Sequence, residues 1–123
     1  MAQDWFVEAV ERVADAGHHA CLAIEASVGA LQEGSDGRKA GRSIIDVVDG
    51  LIAAGGRETR MSAADAFREY ERAIAAMRAA VVRALVDEGG LSFTDVARRM
   101  KISRQAAARL YESTPKPGDE GRG

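Results

Sequence analysis

The sequence predicts an all-α fold, and three observations support that prediction. Apolar residues recur at three- and four-residue spacing through most of the chain, and no useful length of it alternates apolar and polar residues as a strand does. The two prolines, Pro115 and Pro117, lie near the end of the sequence, so no proline interrupts the helical periodicity before them. Aromatic residues make up only 5% of the chain, so its core has to be built from aliphatic side chains.

The first predicted helix begins with WFVEAVERV, residues 5–13, and has Asp4 as its cap. Apolar residues recur there at four-residue intervals and form one stripe. A second apolar run occupies residues 19–31, so the two runs are either one long helix kinked at Gly17 or a helical pair. Residues 33–42, EGSDGRKAGR, have the glycine and polar density of a mobile loop and are predicted to form one.

The next predicted helix begins at Ser43 and stops at the glycine pair of residues 55–56. Its apolar residues share one face at helical spacing, and that face is predicted to be buried. The residues of this face are Ile44, Val47, Val48, Leu51 and Ile52.

The longest predicted helix starts at Ser62, which forms a capping box with Asp65, and meets no breaker before Gly89 and Gly90. Its apolar stripe is wide and consists of Phe67, Tyr70, Ile74, Met77, Val81, Val82, Ala84 and Leu85. Two short helices cannot cover so long a stripe. It therefore meets either the N-terminal helices or a second copy of the chain.

Two short helices joined by a tight turn are predicted over residues 92–112, SFTDVARRMKISRQAAARLYE. Ser92 and Asp95 have the spacing of a capping box for the first of them, and Ser103 offers a hydroxyl cap to the second. Ala97 is small enough to let the two helices cross closely. The side chains predicted to point inward are Val96, Ala97, Met100, Ile102, Ala107 and Leu110. Those predicted to face solvent from the second helix are Arg104, Gln105, Ala108 and Arg109.

These residues resemble the helix-turn-helix of bacterial transcription regulators, and the phrase ISRQAAARLY is similar to recognition-helix openings in that superfamily. In such motifs the second helix lies in the major groove of DNA, with its N-terminal residues at the base edges. The resemblance implies that the base contacts are made by Ser103, Arg104, Gln105, Ala108 and Arg109. It implies that the phosphate contacts, which set register without reading sequence, are made by Thr94, Arg98, Arg99 and Lys101.

One position departs from the pattern of that superfamily. The turn position usually held by glycine is Lys101 here. A left-handed backbone at a residue with a Cβ costs about 1 kcal/mol or more, so this turn is expected to be slightly strained.

Charge is distributed unevenly along the chain. Residues 89–113 carry five basic and two acidic side chains, a net charge of +3, whereas residues 1–56 carry four basic and nine acidic ones, a net charge of −5. Phosphate binding depends on local rather than overall positive charge. The net charge of −2 for the whole chain therefore argues against a non-specific DNA-coating protein and leaves a sequence-specific regulator open.

We therefore expect a transcriptional regulator that binds specific double-stranded DNA. A homodimer is expected, because one recognition helix reads only a few base pairs and a two-fold pair reads two half-sites. Residues 1–61 would form a helical dimerisation or regulatory region, 62–90 a connecting helix, 91–113 the helix-turn-helix and 114–123 a flexible tail. The alternative is a protein-interaction module in which the same motif docks on RNA polymerase or another regulator without specific DNA readout.

Other classes of function are not expected. The chain has no glycine-rich phosphate loop and no supported catalytic triad, so we expect neither an enzyme nor a cofactor. Cys21 lies near His18 and His19, but adjacent histidines point in different directions on a helix, so a buried, inert cysteine is favoured over a metal site. A small-molecule effector could sit between N-terminal helices, although no cluster of polar residues marks a pocket.

Localisation is inferred from what the sequence lacks and from its composition. No signal peptide and no apolar run of membrane length are present, and arginine outnumbers lysine, as in many GC-rich bacterial genomes. We expect a protein of the bacterial cytoplasm, associated with the nucleoid and not with a membrane.

Overall fold

The computed structural model describes residues 4–113 of the chain. Those residues form five α-helices and no strand, which confirms the all-α prediction. The helices are α1 (Trp5–Lys39), α2 (Ile44–Ala53), α3 (Gly56–Asp87), α4 (Phe93–Met100) and α5 (Arg104–Ser113). Within the described residues no helix has both the length and the apolar character needed to cross a membrane. The predicted tail, residues 114–123, lies outside the described part of the chain.

The helices pack as two compact units. The first unit contains the described residues up to Val13 and those from Arg72 onward, so it holds α4, α5, the start of α1 and the second half of α3. The second unit is Ala14–Glu71 and holds α2 with the remaining parts of α1 and α3.

The N-terminal cap of α1 is the one predicted. The Asp4 carboxylate accepts hydrogen bonds from the backbone N–H groups of Phe6 at 2.9 Å and Val7 at 3.1 Å. From there α1 runs without interruption through Gly17, so the two apolar runs belong to one helix rather than to a helical pair.

The prediction of a mobile loop over residues 33–42 is wrong, because α1 continues to Lys39. Gly34 is buried where α1 meets α2, and a Cβ at this position would lie 3.1 Å from Leu51 Cδ1 and 3.3 Å from Val47 Cγ1. A glycine allows this close approach of two helices because it has no side chain. Gly34 therefore serves helix packing, and the turn of this segment is confined to its end, where Gly41 has a left-handed φ of 96°.

Ser43 caps α2, accepting a hydrogen bond at 3.1 Å from the backbone N–H of Asp46. The prediction for its buried face is only partly right. Val47 is buried and Leu51 is half-buried, but three residues of the predicted face are exposed: Ile44, Val48 and Ile52. The contact with α1 covers only one side of an apolar surface that extends further around α2.

Two predictions about α3 have different outcomes. The helix begins at Gly56, directly after Gly55 with its left-handed φ of 81°, so the predicted start and capping box at Ser62 are wrong. The glycine pair makes a corner between two helices: a Cβ on Gly56 would lie 2.9 Å from the Leu51 carbonyl oxygen. The predicted stop is confirmed, because α3 ends at Asp87 just before the glycine pair of residues 89–90.

The core of the first unit lies where the end of α3 meets α4 and α5. Val82 of α3, Val96 of α4 and Ala107 of α5 are completely buried, and Ala97 is nearly so. The partly buried residues around them are Leu85, Val86, Leu91, Phe93, Met100, Ile102, Leu110 and Tyr111. All six inward positions predicted for the two short helices lie in this cluster, and part of the α3 stripe is covered within the same chain.

Candidate nucleic-acid interface

The first helix of the motif, α4, starts at a reciprocal cap. The Ser92 hydroxyl accepts a hydrogen bond from the Asp95 backbone N–H at 3.1 Å, and the Ser92 backbone N–H donates to the Asp95 carboxylate at 3.4 Å. This is the predicted capping box. It fixes the N-terminus of α4 and places a carboxylate at the positive end of the helix dipole.

The turn between α4 and α5 is built on Lys101. This residue has φ 59° and ψ 45°, and within residues 4–113 no other non-glycine residue has a positive φ. The backbone N–H of Ile102 donates to the Ala97 carbonyl oxygen at 3.0 Å, as in a Schellman motif. Ile102 then packs against the core and anchors the corner. The expected left-handed turn is therefore present, with lysine in place of glycine.

The second helix of the motif, α5, is held close to α4 by small residues. Ser103 accepts a hydrogen bond from the Ala106 backbone N–H at 3.0 Å, which confirms it as the cap. Ala107 is completely buried and Ala97 is 8% exposed, so each helix offers a methyl group at the contact. A longer side chain at either position would push the two helices apart.

The side chains assigned to DNA lie mainly on the outer surface of this pair of helices. Four of the base-contact set are exposed, at the cap of α5 or along the helix: Ser103, Arg104, Gln105 and Arg109. Ala108 is half-buried, so its predicted solvent-facing position is only partly right; it lies next to Ala107, at the edge of the helix contact. The phosphate-contact set is exposed on α4 and in the turn: Thr94, Arg98, Arg99 and Lys101.

Three side chains that the sequence did not single out connect the end of α5 to α3. The Tyr111 hydroxyl donates a hydrogen bond of 2.8 Å to Asp87 Oδ1. The Arg83 guanidinium carbon lies 4.0 Å from the centre of the Tyr111 ring, and Arg83 Nη1 lies 3.7 Å from Asp87 Oδ2. We call Arg83, Asp87 and Tyr111 the α3–α5 clamp. The four-residue spacing of Arg83 and Asp87 is visible in the sequence, but nothing there relates either residue to Tyr111.

The Tyr111 ring also packs on the start of α4. Its centre lies 5.5 Å from that of the Phe93 ring, in an edge-to-face arrangement. Such aromatic pairs contribute about 0.5–1.5 kcal/mol beyond the burial of their surface. One tyrosine therefore connects the three helices of the first unit that surround the core, α3, α4 and α5.

The cysteine prediction needs correction. Cys21 is exposed rather than buried. Its neighbour Ala20 is the buried residue, because a helix turns by about 100° per residue and adjacent side chains point in different directions. Over the described residues, no group of three or more His, Cys, Asp or Glu side chains is placed to hold a metal ion.

Comparison of the chain with protein-family models, with curated proteins and with solved structures gave no match.

Proposed function

We propose that the protein is a transcriptional regulator that binds specific double-stranded DNA sequences through α4 and α5. The observation that carries the proposal is the two-sided character of α5. One side is packed on the core through Ala107, while Arg104, Gln105 and Arg109 project into solvent from a helix whose two ends are both fixed. Exposed long polar side chains on a rigid helix are what direct readout in the major groove requires.

The exposed residues of α5 have the chemistry of base recognition. An arginine can donate two hydrogen bonds to the O6 and N7 atoms of guanine, and a glutamine can pair with N6 and N7 of adenine. We assign these roles to Arg104, Arg109 and Gln105, with Ser103 as a further polar contact. Ala108 is half-buried, which leaves part of its methyl group for contact with a thymine methyl.

The basic residues of α4 and the turn suit the phosphate backbone. Arg98 lies 3.9 Å from Asp95, and its side chain remains 77% exposed, so the guanidinium stays accessible to an anion. Together with Arg99, Lys101 and the hydroxyl of Thr94 it would fix the register of the protein on the duplex. Such contacts release counterions and make affinity fall as salt concentration rises.

The proposed form is a homodimer that acts in the bacterial cytoplasm at the nucleoid. Two recognition helices related by a two-fold axis would contact half-sites about one turn of DNA apart, roughly 34–36 Å. Bound in this way at a promoter, the dimer would regulate transcription by blocking access of RNA polymerase or by recruiting it.

DNA fragments selected from a bacterial genome by the purified protein provide the test, with affinity measured by fluorescence anisotropy over a range of salt concentrations. Arg104→Ala combined with Gln105→Ala should abolish the preference for selected over random fragments. Arg98→Ala should weaken binding to all sequences and reduce the salt slope by about 1. Arg78→Ala removes an equal charge from the exposed surface of α3 and serves as the control.

Two outcomes would count against specific readout. If no fragment is enriched, the protein does not recognise DNA sequence. If the double variant keeps the preference of the wild type, the exposed face of α5 does not read bases, and the alternative gains support: docking of a protein partner, such as RNA polymerase or another regulator, by the same motif.

A further inference from the structure

The second unit exposes an apolar surface that its own helices leave uncovered. On α2, Val47 and Leu51 face Gly34 of α1, but the neighbouring side of the helix carries large aliphatic side chains open to solvent. Ile45 is 70% exposed and Ile52 is 68% exposed. On a helix of only ten residues, that leaves much of the apolar circumference uncovered by residues 4–113.

The exposed side of α2 continues onto α1. Leu31 of α1 lines a cavity of about 310 Å³ together with Val48 and Ile52 of α2, and Val28 precedes Leu31 by three residues on the same side of α1. We call this surface the α1–α2 face. It consists of Val28, Leu31, Ile44, Ile45, Val48 and Ile52, all exposed.

The size of the α1–α2 face fits a protein interface. Its six side chains are between 43% and 70% exposed. At on the order of 150–200 Å² per fully exposed residue, they present on the order of 500 Å² of apolar surface. A standard interface takes about 800 Å² from each partner, of which somewhat more than half is apolar. The uncovered area is therefore what one side of a stable dimer needs.

The rim of the α1–α2 face carries charges of both signs. Asp49 is exposed on α2 at the edge of this face, while Arg57 and Arg60 are exposed on α3 and line the same cavity. A surface that binds a nucleic acid or an anionic membrane is expected to carry mainly positive charge. A surface that meets its own copy about a two-fold axis presents the same residues twice, so carboxylates of one copy can pair with guanidiniums of the other.

We propose that the α1–α2 face binds a second copy of this chain and forms the dimer interface. This inference rests on the proposed function only because binding to two half-sites is the reason to expect a dimer. The choice of surface depends on its exposure, area and charge. The residues of this face all belong to the second unit, whereas α4 and α5 belong to the first.

The chain offers a matched pair of variants for the test. Leu31 and Leu22 are both on α1 and both 53% exposed, and they lie about two and a half turns apart, on opposite sides of the helix. Sedimentation equilibrium of the full chain at micromolar concentration should show a dimer for the wild type and for Leu22→Glu. Leu31→Glu should weaken dimerisation about tenfold or more, as expected for a charge buried in an apolar interface. Circular dichroism checks that both variants remain helical.

A charge reversal tests the pairing of the rims. Asp49→Lys in one chain, and Arg57→Glu with Arg60→Glu in another, should each weaken self-association about tenfold. A mixture of the two reversed chains should recover a heterodimer. A mixture that associates no better than either reversed chain alone would overturn the proposal. A monomeric wild type would also overturn it, even if the α1–α2 face then binds a small apolar probe. Equal dimerisation of Leu31→Glu and Leu22→Glu would overturn it as well.

DNA binding is measured separately on single half-sites. If Leu31→Glu is monomeric and still prefers a selected half-site, both the interface and the function are supported. A monomeric wild type with sequence preference would contradict the proposed interface and support the proposed function. A dimer without sequence preference would support the interface and contradict the function.

Discussion

The α3–α5 clamp makes a quantitative prediction about stability. Tyr111→Phe removes one hydroxyl and keeps the ring, so the contacts with Phe93 and Arg83 remain. The lost hydrogen bond joins the hydroxyl to Asp87 at 2.8 Å. Hydrogen bonds to charged groups contribute about 1.5–3 kcal/mol, but the Asp87 side chain is 48% exposed and water competes for it, so we expect a loss of about 1 kcal/mol. For a chain of 123 residues this lowers Tm by about 3–5 °C.

A double-mutant cycle in urea, followed by helical circular dichroism, isolates this interaction. Asp87→Asn alone has two opposed effects, because it weakens the clamp and removes a carboxylate from the negative end of the α3 dipole. The dipole effect occurs on both sides of the cycle and cancels. The remaining coupling energy between Tyr111 and Asp87 should be about 1 kcal/mol.

The result that would contradict this argument is a coupling energy within about 0.3 kcal/mol of zero, the range found for independent sites. The hydrogen bond would then contribute nothing to stability in solution. An unchanged urea slope is the control, since it shows that Tyr111→Phe did not alter the surface exposed on unfolding.

Two further changes test the backbone of the motif and the contact between α1 and α2. Lys101→Gly should raise the free energy of unfolding by about 0.5–1 kcal/mol, because glycine adopts the left-handed turn without strain, and a lower free energy of unfolding would contradict this. The same change removes a positive charge, so it should weaken DNA binding and lower the salt slope of binding by about 1. Gly34→Leu should lower the free energy of unfolding by about 2 kcal/mol, because the added side chain overpacks against Leu51. In Gly29→Ala the added methyl group has nothing within 4 Å, so this change should stabilise α1 by about 0.5–1 kcal/mol, as measured by thermal melts. Equal effects of the two glycine changes would refute the close approach at Gly34.

The helix-turn-helix could be predicted from sequence because its determinants are local. The Ser92–Asp95 box, the cap at Ser103 and the small residue Ala97 are each defined by spacing within a few residues, and the structure confirms all three. The left-handed conformation of Lys101 also followed from its position in the motif. Local signals of this kind survive folding because tertiary contacts reinforce them.

The features that the sequence predicted wrongly or did not predict depend on how separate segments of the chain meet. Gly34 supports a helix because Val47 and Leu51 fill the space beside it, and no pattern within residues 33–42 indicates that partner. Ser62 and Asp65 have the spacing of a capping box, but α3 already begins at Gly56, directly after the turn at Gly55. Ser62 therefore lies inside the helix, where no cap is needed. The clamp between Asp87 and Tyr111 joins two elements whose distance the sequence does not define.

The stability of α5 connects these contacts to the proposed function. A helix of ten residues is marginal in water by itself, because the cost of forming its first turn is not recovered over so few hydrogen bonds. Its order therefore comes from the core around Val82 and Val96 and from the clamp at its end. Since base readout needs side chains on a fixed backbone, the affinity for DNA should depend on these buried groups as well as on Arg104 and Gln105. Substitutions at buried and at exposed positions should then affect DNA binding differently. Loss of a buried group loosens the whole of α5 and weakens binding to every sequence, whereas loss of an exposed side chain removes the preference for a single base.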